Sequence, residues 1–413
     1  MGKVRHLLSR RIDCFLQFSG LSLAQCTWLP GPKEASELVR REAHRRANDT
    51  RTQISYHFQR PHYAPARAIA AKEILMALPD AESMPLAADH IVTLQSHILQ
   101  QQARFPGESD SLCWILSALS ISAKIICNLV RRARLEDVLG AAGSDNVQGE
   151  AQQKLDVLAN EVLLRTLGGR HGVAVIASEE NEEPVILREH SDGEAKYCVL
   201  FDPLDGSSNL DVCGGVGTIF SILQFDPARS GGKNVLLQPG VRQVAAGYVL
   251  YGSSAVFALT LGAGVDLFVL DPAIGAFVRV AEQIRIPKSN ATYSVNEGNR
   301  RSFPIGYQRY LDWAQENNYS SRYVGSMVAD VHRILLKGGV FLYPQTRKSP
   351  QGKLRLMYEA NPMAMIIEQA GGQALSGPGQ RILEVPPTDI HQRVPVILGS
   401  SDEVELVINQ LRS

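Results

Sequence analysis

The stretch CVLFDPLDGSSNLDV, residues 198–212, ends an apolar run on two aspartates three apart, Asp202 and Asp205, followed directly by Gly206, Ser207 and Ser208. A carboxylate is costly in a core and proline removes a ladder donor, so neither suits an ordinary buried strand. Two other segments share this design. VAVIASEE ends on Glu179 and Glu180, and KLRLMYEANP carries Glu359 just ahead of a helix start. Taken singly, Asp-x-x-Asp-Gly is also turn chemistry, and Glu-Glu is also a solvated strand end. Taken together, these acids converging at strand ends would repel one another unless a cation neutralised them.

Oxygen donors without histidine or cysteine in the pattern suit a hard ion, Mg²⁺ or Mn²⁺, rather than zinc. Pro203 fixes the backbone between the aspartates, and the Leu204 carbonyl offers a further oxygen. Gly206, Ser207 and Ser208 supply unhindered amides at a turn, a ready anion cradle. Cations on one side and amide donors on the other fit a phosphate oxygen, the layout of metal-assisted phosphomonoester hydrolysis. Lys353 and Arg355 alternate along a strand expected to carry Glu359 on the same face, a clamp for a second anionic group.

The elements that must position these residues alternate in type. Helical periodicity runs from about residue 86, breaks at FPGES, resumes from DSLCWILS to RRARLED, and returns in AQQKLDVLANEVLLRTLGG. Strands follow: VAVIASEE, KYCVLFDP, GTIFSILQF, VAAGYVLYGSSAVFALT and VDLFVLD, the last two forming a hairpin region. Beyond about 282 helices and strands mix again, which predicts two layered α/β domains.

The chain has 413 residues, 45% hydrophobic and 20% charged, enough for a large core. Zero formal net charge argues against coating a nucleic acid or a polybasic hold on a membrane. No apolar run is seen to reach the roughly 20 residues of a membrane span. Six cysteines without a C-x-x-C pair predict a reducing compartment. Residues 1–83 are Arg- and His-rich and patternless. With Asp13 the only acid before residue 34, they read as a transit peptide; with serine scarce, the preferred reading is a disordered extension or a mis-started frame, Met84 opening the folded part.

In colinear order from about residue 86, GSDNVQGEAQQKLDVLANE, FDPLDGSSNLDV, GTIFSI, LQPG, AAGYVLYGSS and YSVNEGN closely resemble class I fructose-1,6-bisphosphatases. These belong to the lithium-sensitive, Mg-dependent sugar and inositol phosphatase superfamily. DPLDGSS alone marks only that superfamily. SRYVGSMVADVHRILLKGGVFLYP and KSPQGKLRLMYEANPMAMIIEQAGG narrow it to the bisphosphatase. The resemblance implies a two-domain sugar-phosphatase fold layered α/β/α/β/α. Residues 84–281 would form an AMP-type domain carrying the metal acids, and residues 282–413 a substrate-binding domain.

It further implies a cytoplasmic homotetramer of carbohydrate metabolism, gluconeogenic or of Calvin-cycle type. Such an enzyme hydrolyses D-fructose 1,6-bisphosphate to fructose 6-phosphate and phosphate by metal-activated water, with two or three Mg²⁺ or Mn²⁺ per site. The alternative is a sedoheptulose-1,7-bisphosphatase or a dual bisphosphatase. By motif, Glu179, Asp202, Asp205, Glu359 and the Leu204 carbonyl would bind the metals, with Glu180 the base. Asp156 and Glu150, where many members have Asp, would orient the water or a loop's metal contact. The 1-phosphate would meet Gly206, Ser207, Ser208 and Arg355. The 6-phosphate would meet Asn296, Tyr323, Tyr343 and a neighbouring subunit's copy of Arg322, while Lys353 holds the sugar and its phosphate. Tyr323 and Tyr343 also read as core aromatics.

The chain departs from the allosteric members of that family. Their GTGEMT is FPGESD here, where Pro106 removes an amide and Asp110 adds an acid near an expected nucleotide phosphate. Gln224 stands for an arginine, although Lys196 and Tyr197 remain. Weak or absent AMP inhibition is therefore expected. Asn299 replaces a common tyrosine after NEG, loosening one 6-phosphate contact, and no cysteine-rich insertion suggests thiol control.

Overall fold

A computed structural model describes residues 91–412, except 103–108, 137–138, 146–150, 189–195 and 230–231. The expectations for residues 1–83, for the FPGES break and for Glu150 lie outside the described residues.

Helices α1 (Leu94–Gln102), α2 (Ser109–Arg132) and α3 (Lys154–Gly168) come first among the described residues, with a small hairpin of β1 (Ala141–Asp145) and β2 (Ala151–Gln153) before α3. Two helix starts fall later than the periodicity predicts. Residues 91–93 lie against a sheet edge, Val92 O accepting from Arg279 N at 2.8 Å, and α1 begins only after the Thr93 hydroxyl accepts from Ser96 N. AQQ is spent on the hairpin.

An eight-stranded sheet follows. Its strands are β3 (Val173–Ser178), β4 (Val185–Ile186), β5 (Tyr197–Asp205), β6 (Val216–Gln224), β7 (Gln243–Tyr251), β8 (Ala255–Thr260), β9 (Asp266–Asp271) and β10 (Ala276–Ala281). The order is β10-β9-β8-β7-β6-β5-β3-β4, antiparallel except where β3 and β5 run parallel. Every residue of β5 is buried, as expected of a strand covered on both faces, and this explains its unbroken apolar run.

The remaining elements are β11 (Thr292–Ser294), α4 (Ile305–Glu316), β12 (Ser320–Ser321), α5 (Met327–Lys337), β13 (Val340–Tyr343), β14 (Leu354–Arg355), α6 (Asn361–Gln369), β15 (Gln373–Leu375), β16 (Arg393–Val394), β17 (Val396–Gly399) and α7 (Ser401–Arg412). A five-stranded sheet runs β12-β11-β13-β17-β15, and β14 pairs with β16. Three cores make the layers. Leu112, Ile115, Leu163 and Phe220 join α2 and α3 to one face of the large sheet. Leu200, Val331, Ile366 and Leu398 seat α5 and α6 between the two sheets. Tyr310, Leu342 and Val407 pack α4 and α7 on the far face of the small sheet. The order α/β/α/β/α is the one expected.

Helix α2 corrects one expectation. It is long and apolar enough, by length and composition, to cross a membrane, although no unbroken apolar run was seen. The interrupting residues are largely uncharged serines; Ser120 and Ser122 are buried, and Ser122 Oγ donates to Ala118 O at 2.9 Å. Half of its apolar window is buried against the rest of the protein.

Candidate active site

Side chains alternate along a strand, so residues three apart normally face opposite ways. The pairing of β5 with β6 undoes this at Asp202 and Asp205. Asp202 opposes Ile219 and Asp205 opposes Gly217, so three steps on one strand match two on the other, and the extra residue is a bulge. Both carboxylates thereby reach one cleft. Asp202 Oδ1 accepts from Leu204 N at 2.9 Å, and Thr218 Oγ1 donates to Pro203 O at 2.9 Å, pinning the bulge from both sides.

Gly206 then turns the chain at φ 73°, where a Cβ would come within 2.5 Å of Ser326 Cβ, so only glycine fits. That close approach brings the cap of α5 onto the site. Ser326 Oγ donates to Asp205 Oδ2 at 2.7 Å and Val328 N to the same oxygen at 2.8 Å. A helix N-terminus is a favourable place for a carboxylate. Glu179 and Glu180 follow β3, whose parallel pairing with β5 sets its acidic end beside Asp202.

Glu359 arrives by a route the sequence reading did not foresee. The strand expected to carry Lys353, Arg355 and Glu359 on one face ends at Arg355, and residues Leu356–Ala360 form a π-helical turn. Asn361 N donates to Leu356 O, five residues back, and Pro362 behind it has no N–H for the tighter ladder. Convergence survives through the turn: Arg355 N donates to Glu359 Oε2 at 2.6 Å, and the Arg355 guanidinium pairs with Glu179 and lies 3.8 Å from Glu359.

The cleft has a volume of about 470 Å³. Asp156, Glu179, Glu180, Asp202, Leu204 and Asp205 line it with the turn Gly206–Ser208; Tyr323, Tyr343, Lys353, Arg355 and Glu359 line it too. Two expected residues do not. Arg322 is exposed, its guanidinium on Ser321 O at 2.9 Å. Asn296 is also exposed and reaches the cleft only through a hydrogen bond to the Tyr323 side chain. Sequence reasoning missed Ser326, Met327, Asp330 and Phe341. Ser326 and Asp330 lie inside a motif it quoted, where a serine before an apolar helical period is a cap signal.

Carboxylate oxygens of Asp202, Asp205 and Glu359 lie within 4.8 Å of one another, and all three residues are buried. At that spacing each ionised pair costs about 3 kcal/mol or more, taking an effective dielectric of about 20. Burial, then the charges of Glu179, Asp205 and Glu359, pushes Asp202 well above the ordinary carboxylate range against the pull of Arg355. Burial lifts Glu359 to about 8, Arg355 opposing, and raises Asp205 against the donors of α5. Asp156, lifted to about 6 chiefly by burial against hydrogen bonds from Gln153 N and the Ser207 side chain, keeps Oδ2 on Gln153 N, and its buried Oδ1 has no hydrogen-bond partner among the described residues. A clustered all-oxygen donor set with an orphaned buried oxygen beside it fits a hard divalent cation.

Fold and cleft together define a sugar phosphatase of the metal-assisted class. Residues 92–282 match the family model for the fructose-1-6-bisphosphatase N-terminal domain and residues 286–412 that for its C-terminal domain. A class 1 fructose-1,6-bisphosphatase of Chlorobium chlorochromatii (strain CaD3) is 50% identical over 324 residues, 76% of this chain and 96% of the relative. The Leishmania major fructose-1,6-bisphosphatase superposes in its holo form with a TM-score of 0.74 at 40% identity, covering 78% of this chain and 99% of that one. Its apo form gives 0.70 at 38% identity, covering 78% and 100%. The chain belongs to the fructose-1,6-bisphosphatase family.

Proposed function

We propose that the protein hydrolyses D-fructose 1,6-bisphosphate to fructose 6-phosphate and phosphate. One observation carries this reading: in a chain of this family, the acids at the ends of β3 and β5, the Glu359 turn and the Gly206–Ser208 cradle line a single cleft with Tyr323, Tyr343 and Lys353. Asp202, Asp205 and Glu359, with Glu179 and the Leu204 carbonyl, would hold divalent cations, Mg²⁺ or Mn²⁺. When bound, such cations neutralise phosphate charge and acidify water.

The chain's own residues do the rest. Gly206–Ser208 amides receive the phosphate being cleaved, and Arg355 turns from Glu179 toward its oxygens. Glu180, partly exposed beside the buried Glu179, takes the proton of the attacking water. Asp156 orients that water through its Oδ1. Lys353, Tyr323 and Tyr343 hold the sugar and its distal phosphate, with Asn296 supporting Tyr323 and Arg322 reaching a neighbouring subunit. A cytoplasmic homotetramer belongs to the same reading; Trp114, Ile121 and Ile125, exposed at helical spacing on one face of α2, support a partner there.

The test is phosphate release from fructose 1,6-bisphosphate and sedoheptulose 1,7-bisphosphate, with and without Mg²⁺, beside Glu180→Gln. Mg-dependent release from the fructose ester, reduced about 10²- to 10⁴-fold in the variant, is expected. Preference for the seven-carbon ester would move the substrate, and no turnover by folded, metal-bound protein would refute hydrolysis.

A further inference from the structure

The turn entering α5 is held by a residue that no part of the proposed chemistry uses. Asp330, 1% exposed, lies one turn into the helix and points back at the chain before it. Val324 N donates to Oδ1 at 2.9 Å and to Oδ2 at 3.2 Å, and Gly325 N donates to Oδ2 at 3.0 Å. These amides belong to neither a strand nor a helix, and Gly325 sits at φ 86°. A turn whose backbone donors have no ladder depends on side-chain acceptors for its shape. Tyr323, immediately before, lines the cleft, and its side chain is hydrogen-bonded to those of Asn296 and Tyr343.

The same helix start also holds the metal-site acid Asp205, through Ser326 Oγ and Val328 N. One helical turn therefore sets both the carboxylate cluster and the Tyr323 loop. We propose that Asp330 is a positioning residue for substrate: acting through the Val324 and Gly325 amides, it fixes Tyr323 at the sugar-phosphate end and so sets substrate affinity without entering the hydrolytic step. The inference rests on the bisphosphate reading above.

Asp330→Asn keeps the volume but turns one acceptor into an N–H donor facing N–H donors. Its steady-state kinetics on fructose 1,6-bisphosphate should give a KM raised about tenfold with kcat little changed, the loss expected of one broken hydrogen bond to a charged acceptor. Amide exchange at residues 324 and 325 should accelerate, while the Mg²⁺ concentration for half-maximal activity stays put. Should that variant fold poorly, Gly325→Ala strains the same turn from its other side and is expected to raise KM in the same way. A wild type that does not hydrolyse the ester overturns the bisphosphate reading before any variant is compared. With an active wild type, an unchanged KM, or a loss confined to kcat or to melting temperature, overturns the role of Asp330 alone.

Discussion

Asp202 and Asp330 line one cleft and are about equally hidden from water, at 6% and 1% exposure, yet their surroundings differ in kind. Asp330 receives three contacts from two backbone amides, donors built into the turn it holds. Asp202 accepts one backbone amide and otherwise meets Glu179, Asp205 and Glu359, with Arg355 as the opposing charge. Burial raises both acids; for Asp330 donors of its own chain offset much of that cost, whereas for Asp202 the offset is left to Arg355 and to the cation of the proposed reading. Burial alone does not tell these roles apart. The partners do.

The largest effect expected from breaking this contrast is that of Asp202→Asn. The amide oxygen can still accept from Leu204 N, so the bulge should persist. Outer-shell partners of metals cost ~10- to 100-fold in activity when lost, and Asp202, a direct ligand in the proposed reading, should cost at least ~100-fold in Mg-dependent phosphate release. In the metal-free protein the same change should raise stability, by about 2 kcal/mol near pH 8, on the order of 5 °C in melting temperature. Asp330→Asn should move the melt the opposite way by about 1–3 kcal/mol, because backbone donors lose their acceptor. Paired thermal melts in a chelator check both signs. A destabilised Asp202→Asn would mean that Arg355 already balances the cluster without metal.

Why one acid was legible and the other not follows from how each is encoded. Asp202, Asp205, Glu179 and Glu180 end apolar runs, and a strand period written in sequence carries them to one sheet edge. The bulge that turns Asp202 and Asp205 the same way is set by pairing with β6, far along the chain, and no local signal announces it. Glu359 was found for a mistaken reason: alternation suggested a strand, whereas the π turn before Pro362 does the work. Asp330 lies inside a quoted family motif and received no reading of its own, because its partners are backbone amides of a turn without a side-chain pattern. Two layered α/β domains were legible from the succession of helical and strand runs, whereas the five-layer order came with the family resemblance.

A second, smaller effect sharpens the contrast through protons. In the metal-free native state Glu359 titrates near 8 and Asp202 well above its ordinary value, whereas unfolded chains carry them near 4.5 and 3.8. Between those limits the native state binds more protons than the unfolded one, so stability falls as pH rises from about 4.5 toward 8. His332 works in reverse. Burial lowers it from 6.5 to about 4, the unfolded chain takes up the proton first, and stability is lost as pH falls through that window. Chelated protein should therefore melt highest on the acid side of neutrality, and Mg²⁺ should flatten the alkaline limb while leaving the acid limb. A melting temperature that climbs with pH in chelator would break the claim that the cluster is uncompensated.

The smallest effect isolates the acid limb. Tyr248, fully buried on β7, lies 2.7 Å from His332 Nδ1 on α5, and its ring meets the imidazole edge-on. Burial pushes the phenol above its usual range, so it stays protonated, and it donates to the neutral imidazole in the tautomer whose Nδ1 carries no proton. Tyr248→Phe removes that donor and should cost about 1 kcal/mol at pH 7 and above. The bond favours neutral His332, so its loss lets the imidazole protonate more readily in the native state, and the variant's deficit should shrink as pH falls from about 5 toward 4. Both halves are read from melts of the two proteins between pH 4 and 8. A deficit independent of pH would mean that Tyr248 contributes packing alone, and that another group carries the acid limb.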